Sequence, residues 1–393
     1  MKSEVILAGA VRTAMGAFNG AFAEVPATAL GSAAIKASLE RAGVLAGQVD
    51  EVIFGNVLSA GLGQNPARQA GMGAGLPASV GATTVNKLCG SGLKAVMLAA
   101  QAVQAGDASA VVAGGMESMS RAPYLLDKAR TGYRMGHGQL IDSVLRDGLW
   151  DAYGDFHMGT CGDQCAAKYG FTREQQDDFA VQSYKRAQAA AANGVSALEI
   201  VPVEAPTGKS TIIVAEDEGP KRFDEQKLRK LHPAFGKEGT VTAANASSLN
   251  DGAAAVLVLS AERAKALKVT PAAKILGYST ASQAPEWFTT APIFAVQSLL
   301  KKLGLSVGDV GAFEINEAFS VVAMAAMKDL DIPHEKVNVL GGAVALGHPI
   351  GGSGARTLVT LLNAMKQRRA KIGIVTLCIG GGEAVAMAVE SLE

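Results

Sequence analysis

The stretch Val85-Asn-Lys-Leu-Cys-Gly-Ser-Gly-Leu93 sets a thiol, Cys89, in front of Gly-Ser-Gly and a long helical pattern. From Gly92 to Ala105 the larger apolar side chains fall at Leu93, Val96, Met97, Ala100 and Val103, the three-to-four spacing of an amphipathic helix. Cys89 therefore stands at or just before a helix N-terminus. There, unpaired N–H groups and the positive dipole end favour a thiolate, which predicts a thiol pKa lowered from about 8.5 toward neutrality. A buried structural cysteine fits the same letters, because free cysteine packs as a small hydrophobe.

Outward from this stretch, short β-branched runs recur at Val5–Leu7, Val52–Asn56, Ala110–Ala113, Ala255–Leu259, Ala312–Ile315, Val337–Leu340, Ile372–Leu377 and Ala384–Val389. Ala-rich helical patterns lie between them, at Ala27–Ala42, Gly92–Ala105, Pro292–Leu303, Ala318–Leu330 and Ser353–Gln367. Such alternation predicts an α/β protein with sheets flanked by helices. The two ends repeat the same order of strand, Gly-rich turn and Ala-rich helix, which points to a duplicated core. From Ser120 to Ala246 charge, aromatics and Gly/Pro breaks increase, as expected of an insertion over that core.

Composition narrows the function. Of 393 residues 49% are apolar, 18% charged and 46 are glycine, the profile of a packed α/β enzyme. Thirty-six basic side chains balance 36 acidic ones, so no overall field recruits nucleic acid or an acidic membrane. No apolar run approaches the ~18 residues of a membrane span, and the first residues carry no secretory pattern, so the expected location is the cytoplasm. Four cysteines, Cys89, Cys161, Cys165 and Cys378, fit reduced thiols. Cys161 and Cys165 sit at i, i+4 like half a metal site, but no second Cys/His pair accompanies them, and no metal is expected.

Three further clusters carry chemistry. In Asn338-Val-Leu-Gly-Gly-Ala-Val-Ala-Leu-Gly-His-Pro-Ile-Gly-Gly-Ser-Gly-Ala-Arg356 the glycines let one imidazole, His348, point into a cavity, although a lone His in a turn also serves as scaffold. The stretch has neither GxxxxGK[ST] nor GxGxxG and is not a nucleotide-phosphate loop. Cys378-Ile-Gly-Gly-Gly382 puts a second thiol at a strand end before three glycines whose N–H groups suit an oxyanion. Glu314-Ile-Asn-Glu-Ala-Phe319 sets Asn316 before a helix, where a plain N-cap is the competing reading. Two thiols, an imidazole and an amide are the groups that acyl transfer through a thioester uses.

At these four motifs, and in weaker matches such as Gly114-Gly-Met-Glu-Ser-Met-Ser, His157-Met-Gly and Asn245-Ala-Ser-Ser-Leu-Asn-Asp-Gly, the chain resembles the thiolase family, and within it the acetyl-CoA acetyltransferases, over essentially its whole length. The resemblance implies the thiolase fold, a duplicated core in five α-β-α-β-α layers with an inserted loop domain. Residues 1–119, completed by 247–270, would form one core half, residues 120–246 the loop domain over the coenzyme A site, and residues 271–393 the other half. By motif, Cys89 would be the nucleophile, His348 its base and Cys378 the acid/base at the α-carbon. Asn316, through a water, and His348 would form one oxyanion hole, and the N–H groups of Cys89 and Gly380 the other.

The same resemblance assigns His157, Met158, Phe235, Ala246 and Ser247 to the pantetheine wall and Lys221-Arg222 to the nucleotide phosphates, although that basic pair also reads as a solvated face. It implies acetyl-CoA, acetoacetyl-CoA and coenzyme A as ligands, no cofactor, and a homotetramer. A longer-chain 3-ketoacyl-CoA thiolase, a non-catalytic acyl-CoA carrier on the same scaffold and, more distantly, a Rossmann oxidoreductase are the alternatives. Three departures stand out: Gly381-Gly-Glu-Ala384 where many biosynthetic members end Gly-Gly-Met-Gly, a cysteine at position 165, and Trp287-Phe-Thr-Thr-Ala-Pro-Ile.

Overall fold

The strand order of the computed structural model, which describes residues 4–392, divides one continuous sheet into two halves of the same plan. In the N-terminal half the strands are, in chain order, Val5–Thr13, Glu51–Gly55, Gly81–Val85, Ala110–Ser118 and Asn250–Ser260. They lie side by side as first, fifth, fourth, second and third. In the C-terminal half Ala273–Ser282, Ala312–Ile315, Ile372–Ile379 and Glu383–Ser391 follow the same order, with the third position reduced to a single parallel bridge from Val337 to Phe313. The halves join where Ile6 lies opposite Lys274 and Leu7 opposite Ala273.

Helix Ala27–Ala42 covers the outer face of the N-terminal strands, and helix Ala291–Leu303, with helix Ser320–Leu330 packed beside it, covers the C-terminal ones. Helices Ser91–Ala105 and Ile350–Arg368 pack against each other and against strands of both halves, which gives five layers, α-β-α-β-α. Three apolar clusters fill the gaps, and the middle one joins Leu93, Val96 and Met97 to Leu358, Leu361 and Leu377. Each large apolar side chain buried there contributes ~1.5–3 kcal/mol over its exposed state. Strands covered on both faces bury almost every residue, as in Ala110–Ser118, and so read as unbroken apolar runs.

Where the sequence reading differs, a turn, an exposed edge or a bulge is the reason. Val337–Leu340, expected as a strand, is a bridge and a turn in which Asn338 has φ 46°. Strand Gly81–Val85 has no buried residue and lies at the sheet edge, so Thr83 and Thr84 carry no core pattern. Strand Ala273–Ser282 mixes Lys274 and Ser279 with a bulge before Gly277. Between Ser118 and Asn250 the chain adds helices Met158–Tyr169 and Arg173–Ala192 and short hairpins. A buried clamp ties this segment to the first strand: Arg12 Nε donates to Glu199 at 2.6 Å and Nη1 to Asp217 at 2.7 Å. Among the described residues no helix is long and apolar enough to cross a membrane.

Candidate active site

Cys89 and His348 occupy equivalent turns, each leading from the third position of its half into one of the two middle helices. Those helices start almost in backbone contact. A Cβ on Gly92 would lie 2.6 Å from Ala355 N, and one on Gly354 would lie 2.3 Å from Leu93 N, so only glycine allows the approach. The Cys89 turn is held from within: Leu88 takes φ 47°, its N–H donates to Asn86 Oδ1 at 3.0 Å, and Ser91 Oγ donates to Leu88 O at 2.6 Å. A left-handed Leu is costly and marks a backbone bent to present the next side chain.

Cys89 faces a cavity of about 390 Å³ that His348 and Gly380 also line. Burial pushes the Cys89 thiol up to about 11, although the N–H groups of Gly380 and of Cys89 itself favour the thiolate. The sequence expectation of a lowered thiol pKa is therefore corrected: loss of solvation outweighs the helix end. Cys378, at the end of strand Ile372–Ile379, is fully buried, and its thiol is raised well above the ordinary value by burial and then by the neighbouring Cys89.

His348 is buried, with its ring held from one side. Ser353 Oγ donates to Pro349 O at 2.9 Å, so it accepts from His348 Nδ1–H at 2.6 Å. The other nitrogen, Nε2, keeps its lone pair and makes no hydrogen bond within the protein. Burial, with Arg356 nearby, lowers the imidazole pKa to about 3, so the ring is neutral near pH 7. Asn316, 1% exposed, accepts from Arg356 Nη2 at 3.4 Å through Oδ1, and its Nδ2 makes no protein hydrogen bond. The Asn316 N–H is spent on Thr376 O at 3.0 Å, and a helix starts only at Ser320, so Asn316 is not an N-cap.

The cavity wall is apolar. His157, whose pKa burial lowers, stacks on Phe235 with ring centroids 4.6 Å apart, and Phe319 meets Phe235 edge-on. Met158, Ala246 and Ser247 line the same space, and Ser247 is tied to Ala318 O through both its N–H and its Oγ at 3.0 Å. Lys221 and Arg222 are not brought there. They line a separate surface depression and pair with Glu216 at 2.6 Å and Glu218 at 3.0 Å.

Several lining residues escaped the sequence reading, among them Met119, Leu145, Leu149, Phe319 and Ile350, because apolar side chains around a cavity look like core. Phe288, part of the divergent Trp287-Phe stretch, also lines it. Behind the wall, Glu117 takes Asn56 Nδ2 at 2.8 Å and the N–H groups of Val57, Leu58 and Gly351 at 3.1, 3.1 and 2.9 Å. Burial raises its pKa to about 7. Glu383, the acid of the divergent Gly-Gly-Glu-Ala ending, binds Lys87 at 2.6 Å and so ties the Cys378 loop to the Cys89 loop. Cys161 and Cys165 are buried core thiols on one helix, and among the described residues no group of His, Cys, Asp and Glu is gathered for a metal.

Comparison with known proteins is consistent over the whole length. The family model for the thiolase N-terminal domain matches residues 5–262, and that for the thiolase C-terminal domain matches residues 269–391. Acetyl-CoA acetyltransferase 2 of Arabidopsis thaliana is 55% identical, covering 99% of this chain and 97% of its own. The acetyl-CoA acetyltransferase of Escherichia coli is 52% identical over the full length of both. Among solved structures, the acetyl-CoA acetyltransferase of Bacillus anthracis superposes with a TM-score of 0.97 at 39% identity, covering 100% of this chain and 99% of its own. A thiolase of Ascaris suum in complex with coenzyme A superposes with a TM-score of 0.93 at 43% identity, covering 99% and 100%.

Proposed function

The chain belongs to the thiolase family and is an acyltransferase of the acetyl-CoA acetyltransferase type, and we propose that it works through an acetyl group carried on Cys89. The reaction joins two acetyl-CoA into acetoacetyl-CoA and coenzyme A, or runs in reverse as thiolysis. The observation that carries the reading is one apolar cavity lined by the Cys89 thiol, a neutral His348 and Gly380, with the Cys378 thiol close to Cys89.

In the first half-reaction the Cys89 sulfur attacks the thioester carbon while its proton passes to His348 Nε2. The tetrahedral oxyanion is held by the N–H groups of Cys89 and Gly380, both of which favour negative charge at this sulfur. The bond to the coenzyme A sulfur breaks, and that thiolate leaves with the proton of the Cys378 thiol, so that Cys378 becomes the thiolate and His348 stays protonated at Nε2. A thiol as reluctant to ionise as Cys89 requires such a base, and a neutral imidazole supplies one.

In the second half-reaction the Cys378 thiolate takes an α-proton from a second acetyl-CoA. The high thiol pKa supports this role, since it makes the thiolate a strong base. The enolate oxygen is stabilised by the Nε2–H that His348 keeps from the first half-reaction and by a water on Asn316, whose Nδ2 has no partner in the protein. The enolate carbon then attacks the acetyl carbon, and the Cys89 sulfur departs with the proton from His348 Nε2, which restores the starting state. His157, Met158, Phe235, Ala246 and Ser247 form the wall for the pantetheine arm in this reading, and residues 120–246 act as the loop domain over the core halves 1–119 with 247–270 and 271–393. A homotetramer in the cytoplasm is part of the proposal, and Tyr124, Leu126 and Leu140, exposed on one hairpin, support a subunit contact.

Radiolabelled acetyl-CoA tests the assignment. Wild-type enzyme should retain one acetyl group per chain and Cys89→Ser none. Cys378→Ala should still be acetylated yet make no acetoacetyl-CoA. Stoichiometric labelling of Cys89→Ser, or condensation at the normal rate by Cys378→Ala, would overturn the corresponding role.

A further inference from the structure

The two halves carry an asparagine in the same place, Asn56 after strand Glu51–Gly55 and Asn316 after strand Ala312–Ile315. Their amides are anchored by opposite chemistry. Asn56 Nδ2 donates to Glu117 at 2.8 Å and to Met116 O at 3.3 Å, and its Oδ1 makes no protein hydrogen bond. Asn316 is reversed: Oδ1 is the anchored end, on Arg356 Nη2 at 3.4 Å, and Nδ2 is the free end. A guanidinium donates and cannot accept, so only the amide oxygen of Asn316 can face Arg356. The NH2 group is thereby turned away.

Arg356 is 0% exposed, on the part of helix Ile350–Arg368 that packs against strand Ala312–Ile315. A fully buried guanidinium is costly unless a counter-charge and hydrogen bonds compensate it. Glu314 is 1% exposed, two residues before Asn316, and the period-two alternation of a strand puts both on one face. Burial holds the Glu314 carboxyl well above the usual carboxylate range, and neither its oxygens nor Arg356 Nε and Nη1 have a hydrogen-bond partner, so Arg356 meets Asn316 through Nη2 with its other donors unspent.

We propose that Arg356 is a positioning residue which fixes the amide of Asn316 with its oxygen inward and its NH2 free for the enolate step. The inference rests on the role given to Asn316 above. Arg356 touches no reacting atom. Its hydrogen bond decides whether Asn316 offers a donor, which stabilises a developing oxyanion, or an acceptor, which repels one.

The test is a double-mutant cycle in the full-length enzyme, with condensation and Cys89 acetylation measured separately. Arg356→Met should lower the condensation kcat at least about tenfold, less than the roughly 10²–10³-fold for outright loss of one oxyanion donor, with KM and the acetylation rate unchanged within about twofold. Arg356→Lys, which keeps a donor, should recover most of the loss. In an Asn316→Ala background Arg356→Met should cost nothing more, because its effect passes through the amide. Independent, multiplying losses in the double variant would overturn the proposal, as would full condensation by folded Arg356→Met.

If Arg356→Met does not fold, Asn316→Asp decides the matter with Arg356 intact. It keeps an oxygen on the guanidinium and replaces the NH2 with an acceptor, so condensation should fall as far as in Asn316→Ala, and a normal rate would overturn the proposal. Full activity in Asn316→Ala alone would instead overturn the role of Asn316, which separates the two failures.

Discussion

The two halves of this molecule share a strand order and differ in what they place at the same points. Past the second strand stand Asn56 in one half and Asn316 in the other. Gly55 lies opposite Gly115 and Ile315 opposite Thr376, so two residues further along the fourth strand Glu117 corresponds to Cys378. Before the middle helix stand Cys89 and His348. In the N-terminal half Glu117 gathers four donors, and Asn56 is one of them. In the C-terminal half Asn316 Nδ2 and His348 Nε2 have no protein partner, and Cys378 is a thiol without a carboxylate's appetite for donors. One half uses its polar groups as structure and the other keeps them open for chemistry, with only Cys89 contributed across the divide.

The contrast is broken most severely at His348. His348→Ala should lower condensation by roughly 10²–10⁴-fold, the usual span for a general acid–base group, while the fold survives, which circular dichroism beside steady-state rates would check. Its counterpart across the divide should fail the other way. Glu117→Ala would leave the Asn56 amide and three buried N–H groups without their acceptor, each worth ~1–3 kcal/mol, and denaturant midpoints should fall before any change in the acetylation chemistry of folded enzyme is seen.

Acid sharpens the comparison further. The His348 imidazole is held near 3 in the native state against about 6.5 in an unfolded chain. From pH 6.5 downward the unfolded chain takes up a proton that the native protein refuses, so this contribution to stability, fully present above 6.5, is lost as pH falls toward 3. Urea midpoints between pH 6 and 4 should therefore fall more gently for His348→Ala than for the wild type. The smallest effect belongs to the tie between the two thiol loops. Lys87 and Glu383 are partly exposed, so Lys87→Met should cost less than ~1 kcal/mol in stability, read from thermal midpoints at low and high salt.

Much of this was legible in the letters. Strands buried on both faces announced themselves as apolar runs, and Gly-flanked Cys89, His348 and Cys378 are side chains for which backbone has been cleared. What was not legible depended on environment. Helix position argued for an acidic Cys89 thiol, whereas the apolar wall that raises it comes from residues such as Phe235 and Ile350, distant in sequence. Strand Gly81–Val85, at the edge, lacks the inner-face pattern, and Ser353 and Arg356 look like the wet side of helix Ile350–Arg368 until it is packed between helix Ser91–Ala105 and the strands. Lys221 and Arg222 stand apart from the cavity, paired with Glu216 and Glu218 a few residues away in the chain.

The N-terminal half cannot close until late. Strand Asn250–Ser260 lies between Val5–Thr13 and Ala110–Ser118, and all of the chain from 119 to 249 must leave the ribosome before it. At ordinary synthesis rates the nascent protein spends on the order of ten seconds with two apolar strand edges unpaired. During that interval the open edges can pair with neighbouring nascent chains, whereas in the C-terminal half the fifth strand, Glu383–Ser391, follows the fourth, Ile372–Ile379, at once.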